Sequence, residues 1–218
     1  MNDSSARDEI CRVGRSLFER RYVHATAGNI SVRLQNGFLI TPSDACLGFL
    51  EPAQLAFVGT DGQQRMGARA SKTLALHQAI YSSDPEATCI VHTHSTALVR
   101  LTLEGVSNVD DVLPPITPYF VMKVGHVPLI PYHRPGDPAV PGLVAAAIRR
   151  MQAAHTPIRA LLLDRLGPVV WHHSAAEATA LLEELDETAR LWNTVLPRPV
   201  PLDEAAIEEL RIAFNARW

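Results

Sequence analysis

Two histidines stand two residues apart at the end of an apolar run, and this spacing could bind a metal. Residues 87–92 have the composition of a buried strand, which ends in His92-Thr93-His94. Side chains at positions i and i+2 of a strand point to the same face, so both imidazoles can converge on one point. Imidazole is the commonest metal-ligating side chain. The pair predicts a metal site, although two histidines that cap backbone groups at a strand end would give the same pattern.

A second set of polar residues could bind an anion. The set consists of Asn29 after Gly28, Ser43 after Thr41-Pro42, and Ser71-Lys72 at the start of a helical segment. A helix N terminus carries partial positive charge and free N–H groups, which suits a phosphate. Each residue also has a structural interpretation as a turn, a strand exit or an N-cap.

Alternating helical and strand patterns must position these residues. Asn36-Gly37 and Asp61-Gly62 each predict a hairpin. The predicted helices are 3–21 with Ser4 and Ser5 as caps, 72–81, 95–103, a helix from Asp137-Pro138 to 151, 174–191 and 202–214. The predicted strands outside the hairpins are 87–92, 127–131, 159–163 and 169–171. The pattern predicts a single α/β domain over residues 1–218, with a mixed, largely antiparallel central sheet and helices on its faces.

Composition excludes several classes of protein. The 218 residues are 47% hydrophobic and 20% charged, which excludes a disordered tail. The net charge of −3 argues against a nucleic-acid partner, and the sequence contains no apolar run long enough for a membrane span. Three cysteines without a close pair predict no disulfide framework. With a polar, acidic start to the sequence, we expect a cytoplasmic protein that does not bind membranes.

Several of these motifs together resemble the class II aldolase/adducin family. They are Ala27-Gly28-Asn29-Ile30-Ser31, Thr41-Pro42-Ser43, Ser71-Lys72 with His77, Val91-His92-Thr93-His94-Ser95 and Gly167-Pro168-Val169-Val170. Four further segments look most like the 3-oxo-tetronate 4-phosphate decarboxylase branch of that family: Cys46-Leu47-Gly48, Thr117-Pro118-Tyr119, Val121-Met122-Lys123-Val124-Gly125 and residues 131–137. The resemblance covers essentially the whole chain.

The resemblance implies both a fold and a reaction. The implied fold is a class II aldolase-like α/β/α sandwich that forms a homotetramer with active sites at subunit interfaces. The implied activity is that of a lyase, which cleaves a carbon–carbon bond of a small phosphorylated 3-oxo sugar acid by decarboxylation or retro-aldol reaction. A divalent metal, usually zinc, held by three histidines and a glutamate, stabilises the enediolate in such enzymes.

The same resemblance implies roles for individual residues. His92 and His94 correspond to the first two metal ligands. Asn29, Ser43, Ser71 and Lys72 correspond to the phosphate pocket. Tyr119 falls near a tyrosine that reaches a neighbouring subunit's site in relatives, where it could donate a proton.

Three positions depart from the family pattern. Thr73 stands where an acidic ligand and catalytic base is expected, and Leu166 stands where the third histidine ligand is expected. Asp44 replaces a common glycine, and its carboxylate is expected to repel a phosphate. Among the other histidines we favour His133 as a substitute ligand, interpret His77 as a structural helix residue, and expect His24 to lie at the surface.

These departures leave two alternatives to a metal-dependent lyase. The first is a metal-independent enzyme in which Lys72 stabilises an enolate or carboxylate, or forms a Schiff base. The second is a non-catalytic binding or assembly module, as in the adducin branch. The predicted partners are a small phosphorylated or carboxylated substrate and further copies of the chain.

Overall fold

One eight-stranded sheet carries the helices of this protein. The computed structural model describes residues 3–218. The strands are β1 (Asn29–Leu34), β2 (Gly37–Ile40), β3 (Ala56–Gly59), β4 (Gln64–Met66), β5 (Cys89–His92), β6 (Leu129–Ile130), β7 (Ala160–Leu163) and β8 (Gly167–His172). Their order is β4-β3-β2-β1-β5-β8-β7-β6, and only β6 and β7 pair in parallel. The predicted mixed, largely antiparallel α/β sheet is therefore confirmed.

The helices lie on both faces of the sheet. They are α1 (Asp3–Glu19), α2 (Leu74–Ser83), α3 (Thr96–Glu104), α4 (Val140–Ala153), α5 (Ala175–Thr194) and α6 (Glu204–Phe214), with a π-helical turn at Phe120–Val124 and 3-10 turns at Leu47–Phe49 and Pro52–Gln54. Within the described range, we find no helix with the length and apolar character needed to span a membrane.

Alternation along the strands produces two hydrophobic cores. On one face Val91 and Val170 pack with residues of α1, α3 and α5. On the other face Ile90 and Trp171 pack with residues of α2 and α4. Successive strand side chains point to opposite faces, so a strand buried on both sides needs an almost continuous apolar run. This arrangement is the predicted α/β/α layering.

Glycines permit two close approaches of the backbone. Gly37, in the predicted Asn36-Gly37 hairpin, has φ of 148°, and a Cβ there would lie 2.0 Å from the Val58 carbonyl oxygen. Gly167 has φ of 115°, and a Cβ there would lie 2.4 Å from the Thr93 carbonyl oxygen. The turn before β8 can therefore pack directly against the segment that carries His94.

Some predicted boundaries were wrong by a few residues. Ser4 and Ser5 lie inside α1 instead of capping it. The helix predicted from Lys72 begins at Leu74, because the Ser71 Oγ accepts a hydrogen bond from the Thr73 N–H and forms a turn before the helix. The helix predicted from Asp137 begins at Val140, although the Asp137 side chain does accept a hydrogen bond from the Ala139 N–H.

Candidate functional site

A cavity of about 370 Å³ lies at the edge of the sheet where β5 ends. Asn29 opens β1 and pairs in register with His92, the last residue of β5, so these two side chains start from neighbouring backbone positions. The other walls come from the segment after β2, the turn before α2, the loop between β6 and α4, and the turn between β7 and β8. All the predicted phosphate-pocket residues and the three predicted metal ligands line this one cavity.

His92 presents a free lone pair near this cavity. Its Nδ1 donates a hydrogen bond of 2.8 Å to the Pro168 carbonyl oxygen, so Nε2 is the unprotonated nitrogen. Burial lowers the pKa of His92 to about 3, with a further contribution from His94. The ring centroids of His92 and His94 are 5.0 Å apart, as the i and i+2 spacing predicted. Partial burial and the nearby His24 also lower the pKa of His94.

The described residues do not supply a complete metal shell. A catalytic zinc normally has three protein ligands and an open position. Across residues 3–218, no three His, Cys, Asp or Glu side chains are grouped so that they could hold a metal. Leu166 lines the cavity and has no lone pair, and the Thr73 hydroxyl is hydrogen-bonded to Ser71 at 2.9 Å. His92 and His94 could therefore ligate an ion, but not as a full family-type site.

Two further imidazoles, those of His133 and His24, lie at the cavity or beside the histidine pair. His133 lines the cavity, and its Nδ1 donates to the Pro131 carbonyl oxygen at 2.8 Å, which leaves Nε2 with a lone pair. Its role as a third ligand remains a prediction. The exposed His24 ring lies 6.3 Å from the His94 ring, a proximity that its interpretation as a surface residue did not anticipate.

The anion-binding set forms a different wall of the cavity. The Lys72 ammonium lies 3.0 Å from an Asp44 carboxylate oxygen, and both side chains are more than half exposed. Asp44 therefore pairs with Lys72, whereas we had expected it only to repel a phosphate. Ser43 Oγ donates to the Ala70 carbonyl oxygen at 3.1 Å and keeps its acceptor lone pairs available. The Ser71 hydroxyl lies beside Thr73 at the start of α2.

A buried polar network lies directly behind Asn29. His77 Nε2 is 2.6 Å from Asn29 Oδ1, and His77 Nδ1 is 2.7 Å from Ser31 Oγ. Ser31 Oγ is in turn 2.8 Å from the Tyr81 hydroxyl. Burial lowers the pKa of His77 to about 3, so the ring is neutral near pH 7. The helical position predicted for His77 is correct, and its contacts link it to the cavity wall.

Sequence reasoning missed a cation at the site and gave little weight to a carboxylate. Arg134 lines the cavity and pairs only loosely with Asp137, at 3.8 Å. Asp164 also lines the cavity, and no side-chain partner is found for its carboxylate within residues 3–218. Arg134 lies in the segment 131–137 whose resemblance was noted, but its side-chain direction could not be inferred from the sequence. Tyr119 does not line the cavity of its own chain, and its side chain is 59% exposed.

The layered fold and the cavity define a class of protein, an α/β/α protein with an anion-binding wall beside a histidine pair. Residues 8–193 match the family described as "Class II Aldolase and Adducin N-terminal domain". The chain belongs to this family, which confirms the predicted resemblance.

Individual relatives are similar along nearly the whole chain. A "3-oxo-tetronate 4-phosphate decarboxylase" of Cupriavidus necator is 56% identical over 99% of both chains. A protein of the same description from Escherichia coli K12 is 40% identical over 96% of both chains. The crystal structure of YgbL from Klebsiella pneumoniae superposes with a TM-score of 0.88 at 39% identity, covering 97% of this chain and 100% of that one.

Proposed function

We propose that the protein is a carbon–carbon lyase that decarboxylates a small phosphorylated 3-oxo sugar acid. The observation that carries the proposal is the meeting of two sets of groups at one cavity. Asn29, Ser71 and Lys72 offer donors for a phosphate, and the imidazoles of His92 and His94 lie at the same cavity. Relatives at 56% and 40% identity are decarboxylases of a substrate with this chemistry, which supports the proposal.

The proposed reaction needs positive charge at one oxygen. In a 3-oxo-tetronate 4-phosphate, cleavage of the C1–C2 bond releases carbon dioxide, and its electron pair forms a C2=C3 double bond. The C3 oxygen then carries negative charge, until C2 takes up a proton to give a three-carbon ketone phosphate. Cations and N–H donors fixed near that oxygen lower the barrier. Lys72 and Arg134 are the cationic side chains that line the cavity.

The histidines can act on the substrate without a metal. The unprotonated Nε2 of His92 can accept a hydrogen bond from a substrate hydroxyl, and the neutral His94 ring has one N–H to donate. Divalent metals, usually zinc, are expected of this family, but the described side chains do not offer a full shell. The steps above therefore use only groups of the chain itself.

We further propose that the chain works as a homotetramer in which Tyr119 serves a neighbouring subunit. Its side chain is exposed and lies outside the cavity of its own chain, so a role in proton delivery requires a second copy. In that arrangement the Tyr119 hydroxyl would deliver a proton to C2 of the substrate across the subunit interface.

Two alternatives share one specific observation in their support. Leu166 and the hydrogen-bonded Thr73 offer no ligand at the two positions where the family's ligands are expected. This favours a metal-independent enzyme, or a module that binds the phosphorylated acid without turning it over. Both alternatives keep the anion-binding wall and give up the family-type metal site.

The deciding experiment measures carbon dioxide release from a 3-oxo-tetronate 4-phosphate by the purified full chain. Metal content is measured on the same sample, and the assay is repeated with a chelator and with added zinc, manganese or cobalt. We expect turnover, and a loss of at least about 30-fold in kcat/KM for Lys72→Gln because a charge-assisted contact is removed. Lys123→Gln is the matched control, since Lys123 does not line the cavity.

Each outcome selects one function. Turnover that disappears with the chelator and in His92→Ala supports a metal-dependent lyase. Turnover that is insensitive to the chelator supports the metal-independent enzyme. Saturable binding of the substrate without carbon dioxide release supports the binding module, and the absence of both binding and turnover contradicts the proposal.

A further inference from the structure

The buried network of Asn29, Ser31, His77 and Tyr81 has only one proton arrangement that leaves no donor unsatisfied. All four residues are buried, and the three distances that join them are between 2.6 and 2.8 Å. A neutral imidazole has one N–H and one lone pair, so each ring nitrogen of His77 plays a single role. The two possible tautomers of His77 therefore give opposite directions to both of its hydrogen bonds, whereas the Ser31 oxygen can accept from Tyr81 in either case.

The hydroxyls of Tyr81 and Ser31 decide between these directions. The Tyr81 oxygen has Ser31 Oγ as its hydrogen-bond partner, and no other is found among residues 3–218. If Ser31 donated to Tyr81, the Tyr81 O–H would be a buried donor without an acceptor, which costs about 1–3 kcal/mol. Tyr81 therefore donates to Ser31 Oγ. The Ser31 O–H then has His77 Nδ1 as its one acceptor among residues 3–218, so Ser31 donates to His77. The proton of His77 is then on Nε2, which donates to Asn29.

This direction fixes the side-chain amide of Asn29. An atom that accepts from His77 Nε2–H must be the amide oxygen, so the amino group Nδ2 points away from the network. Asn29 lines the cavity, and its Nδ2 has no partner within residues 3–218 and is not sealed off from the cavity or solvent. The reverse direction would turn the amide over and present its oxygen to the cavity.

We propose that Tyr81, Ser31 and His77 are positioning residues that lock the Asn29 amide with its amino group toward the cavity, where it donates to an oxyanion of the substrate. An amide oxygen in that place would attract a cation and repel a phosphate, so the lock selects the charge of the ligand. The orientation of the Asn29 amide is inferred from the hydrogen-bond network alone. The identification of the oxyanion with the substrate's phosphate or carboxylate rests on the proposed function.

The orientation is tested by long-range proton–nitrogen NMR on the full chain with labelled histidine. The His77 resonance is assigned by its absence in His77→Gln. We expect one neutral tautomer with the proton on Nε2 at pH 7. A proton on Nδ1, or a mixture of both tautomers, would overturn the proposed lock, whatever the enzymatic activity.

The ligand preference is tested with inorganic phosphate as the probe. We expect Asn29→Asp to weaken phosphate binding by at least about 30-fold, since a carboxylate replaces the donor. Ser31→Ala should weaken it about three- to tenfold while the His77 tautomer becomes mixed, because Nδ1 then faces neither a donor nor an acceptor. Tyr22→Phe is the control because Tyr22 is also buried but lies outside the cavity and the network.

Enzyme activity then distinguishes a positioning role from a loss of stability. It also tests the proposed lyase function separately. Ser31→Ala should raise KM by the same factor as the phosphate Kd, with kcat nearly unchanged, whereas a merely unstable variant would lose active protein without a change in KM. Unchanged phosphate binding in a folded Ser31→Ala or Asn29→Asp protein would overturn the proposal. A correct tautomer and weakened phosphate binding, without carbon dioxide release by the parent protein, would contradict only the proposed lyase function.

Discussion

Two walls of the same cavity differ in how many of their polar groups have hydrogen-bond partners within the chain. In the network wall, Asn29 lines the cavity and is backed by Ser31, His77 and Tyr81, and the four residues are buried and hydrogen-bonded from end to end. The imidazole wall, formed by His92 and His94, has one backbone hydrogen bond and keeps nitrogen atoms with no partner found among residues 3–218. A satisfied wall contributes to the stability and shape of the fold. Unsatisfied imidazoles at a cavity are available for a ligand, so changes to the two walls should have different consequences.

The largest effect is expected from breaking the network wall. His77→Ala leaves Asn29 Oδ1 and Ser31 Oγ–H without their buried partner and opens a void beneath the sheet, so we expect a loss of at least about 3 kcal/mol in the free energy of unfolding. Urea denaturation measures this value. The exposed Ser82→Ala on the same helix should stay within about 0.5 kcal/mol of the parent. A His77→Ala protein as stable as this control would show that the network contributes little to folding.

The next effect is a pH dependence that the network wall should impose. The pKa of His77 is lowered from 6.5 to about 3 in the fold, so between these values the unfolded chain binds a proton that the native protein does not. Stability is then greatest above pH 6.5 and falls as the pH decreases, by roughly 2 kcal/mol between pH 7 and pH 5 for this one group.

Comparison with a variant that cannot titrate isolates this contribution. His77→Gln should reduce the slope of unfolding free energy against pH by about that amount over the same interval. Parallel slopes for the parent and His77→Gln would mean that His77 is protonated in the native protein, and the neutral network would then be wrong.

The third prediction concerns added metal ligands beside the imidazole wall. Thr73→Glu combined with Leu166→His places ligands at the two positions where the resemblance predicts them, and both residues already line the cavity. We expect the affinity for zinc or cobalt to rise at least about tenfold, which corresponds to 1.4 kcal/mol. Calorimetric titration of the metal-free protein measures it.

A control variant with two matched substitutions makes this result specific. Thr73→Gln with Leu166→Met has similar volumes and no new strong ligand, and it should leave metal affinity within about twofold of the parent. Equal affinities in the designed and control pairs would show that His92 and His94 do not face a common metal position with residues 73 and 166.

The comparison of walls also shows what the sequence could predict. The proximity of the His92 and His94 rings agrees with the prediction from a local pattern, although β5 ends at His92 and His94 lies beyond it. The Asn36-Gly37 hairpin is correct because its turn residues are diagnostic. The network wall joins Ser31 to residues 46 and 50 positions away, so it depends on how α2 packs on β1. Local patterns carry no information on such packing, and the proximity of His24 to His94 was missed for the same reason.

The π-helical turn and the start of α2 illustrate a second limit. The turn at Phe120–Val124 has no distinctive periodicity, because five residues are too few to define one. The start of α2 was placed too early because the side chain of Ser71 competes with the helix for the Thr73 N–H. In both cases the local conformation depends on a few individual hydrogen bonds, which a sequence pattern does not specify.

The smallest effect is expected at the Lys72–Asp44 pair, which lies on the anion-binding wall of the cavity. Both side chains are more than half exposed, so the ion pair contributes little to stability, and Asp44→Asn should change the free energy of unfolding by less than about 0.5 kcal/mol. Asp44 has φ of 58°, a conformation that asparagine adopts readily, so the substitution adds no backbone strain.

Phosphate binding should respond to Asp44→Asn more than stability does, because the change removes a negative charge at the cavity and frees the Lys72 ammonium for an anion. We expect the Kd for inorganic phosphate to fall about threefold in Asp44→Asn, whereas Asp61→Asn, which breaks an exposed pair outside the cavity, should leave it unchanged. A Kd that rises instead would mean that Asp44 holds Lys72 in the position that a phosphate needs, and that the pair belongs to the binding site as a unit.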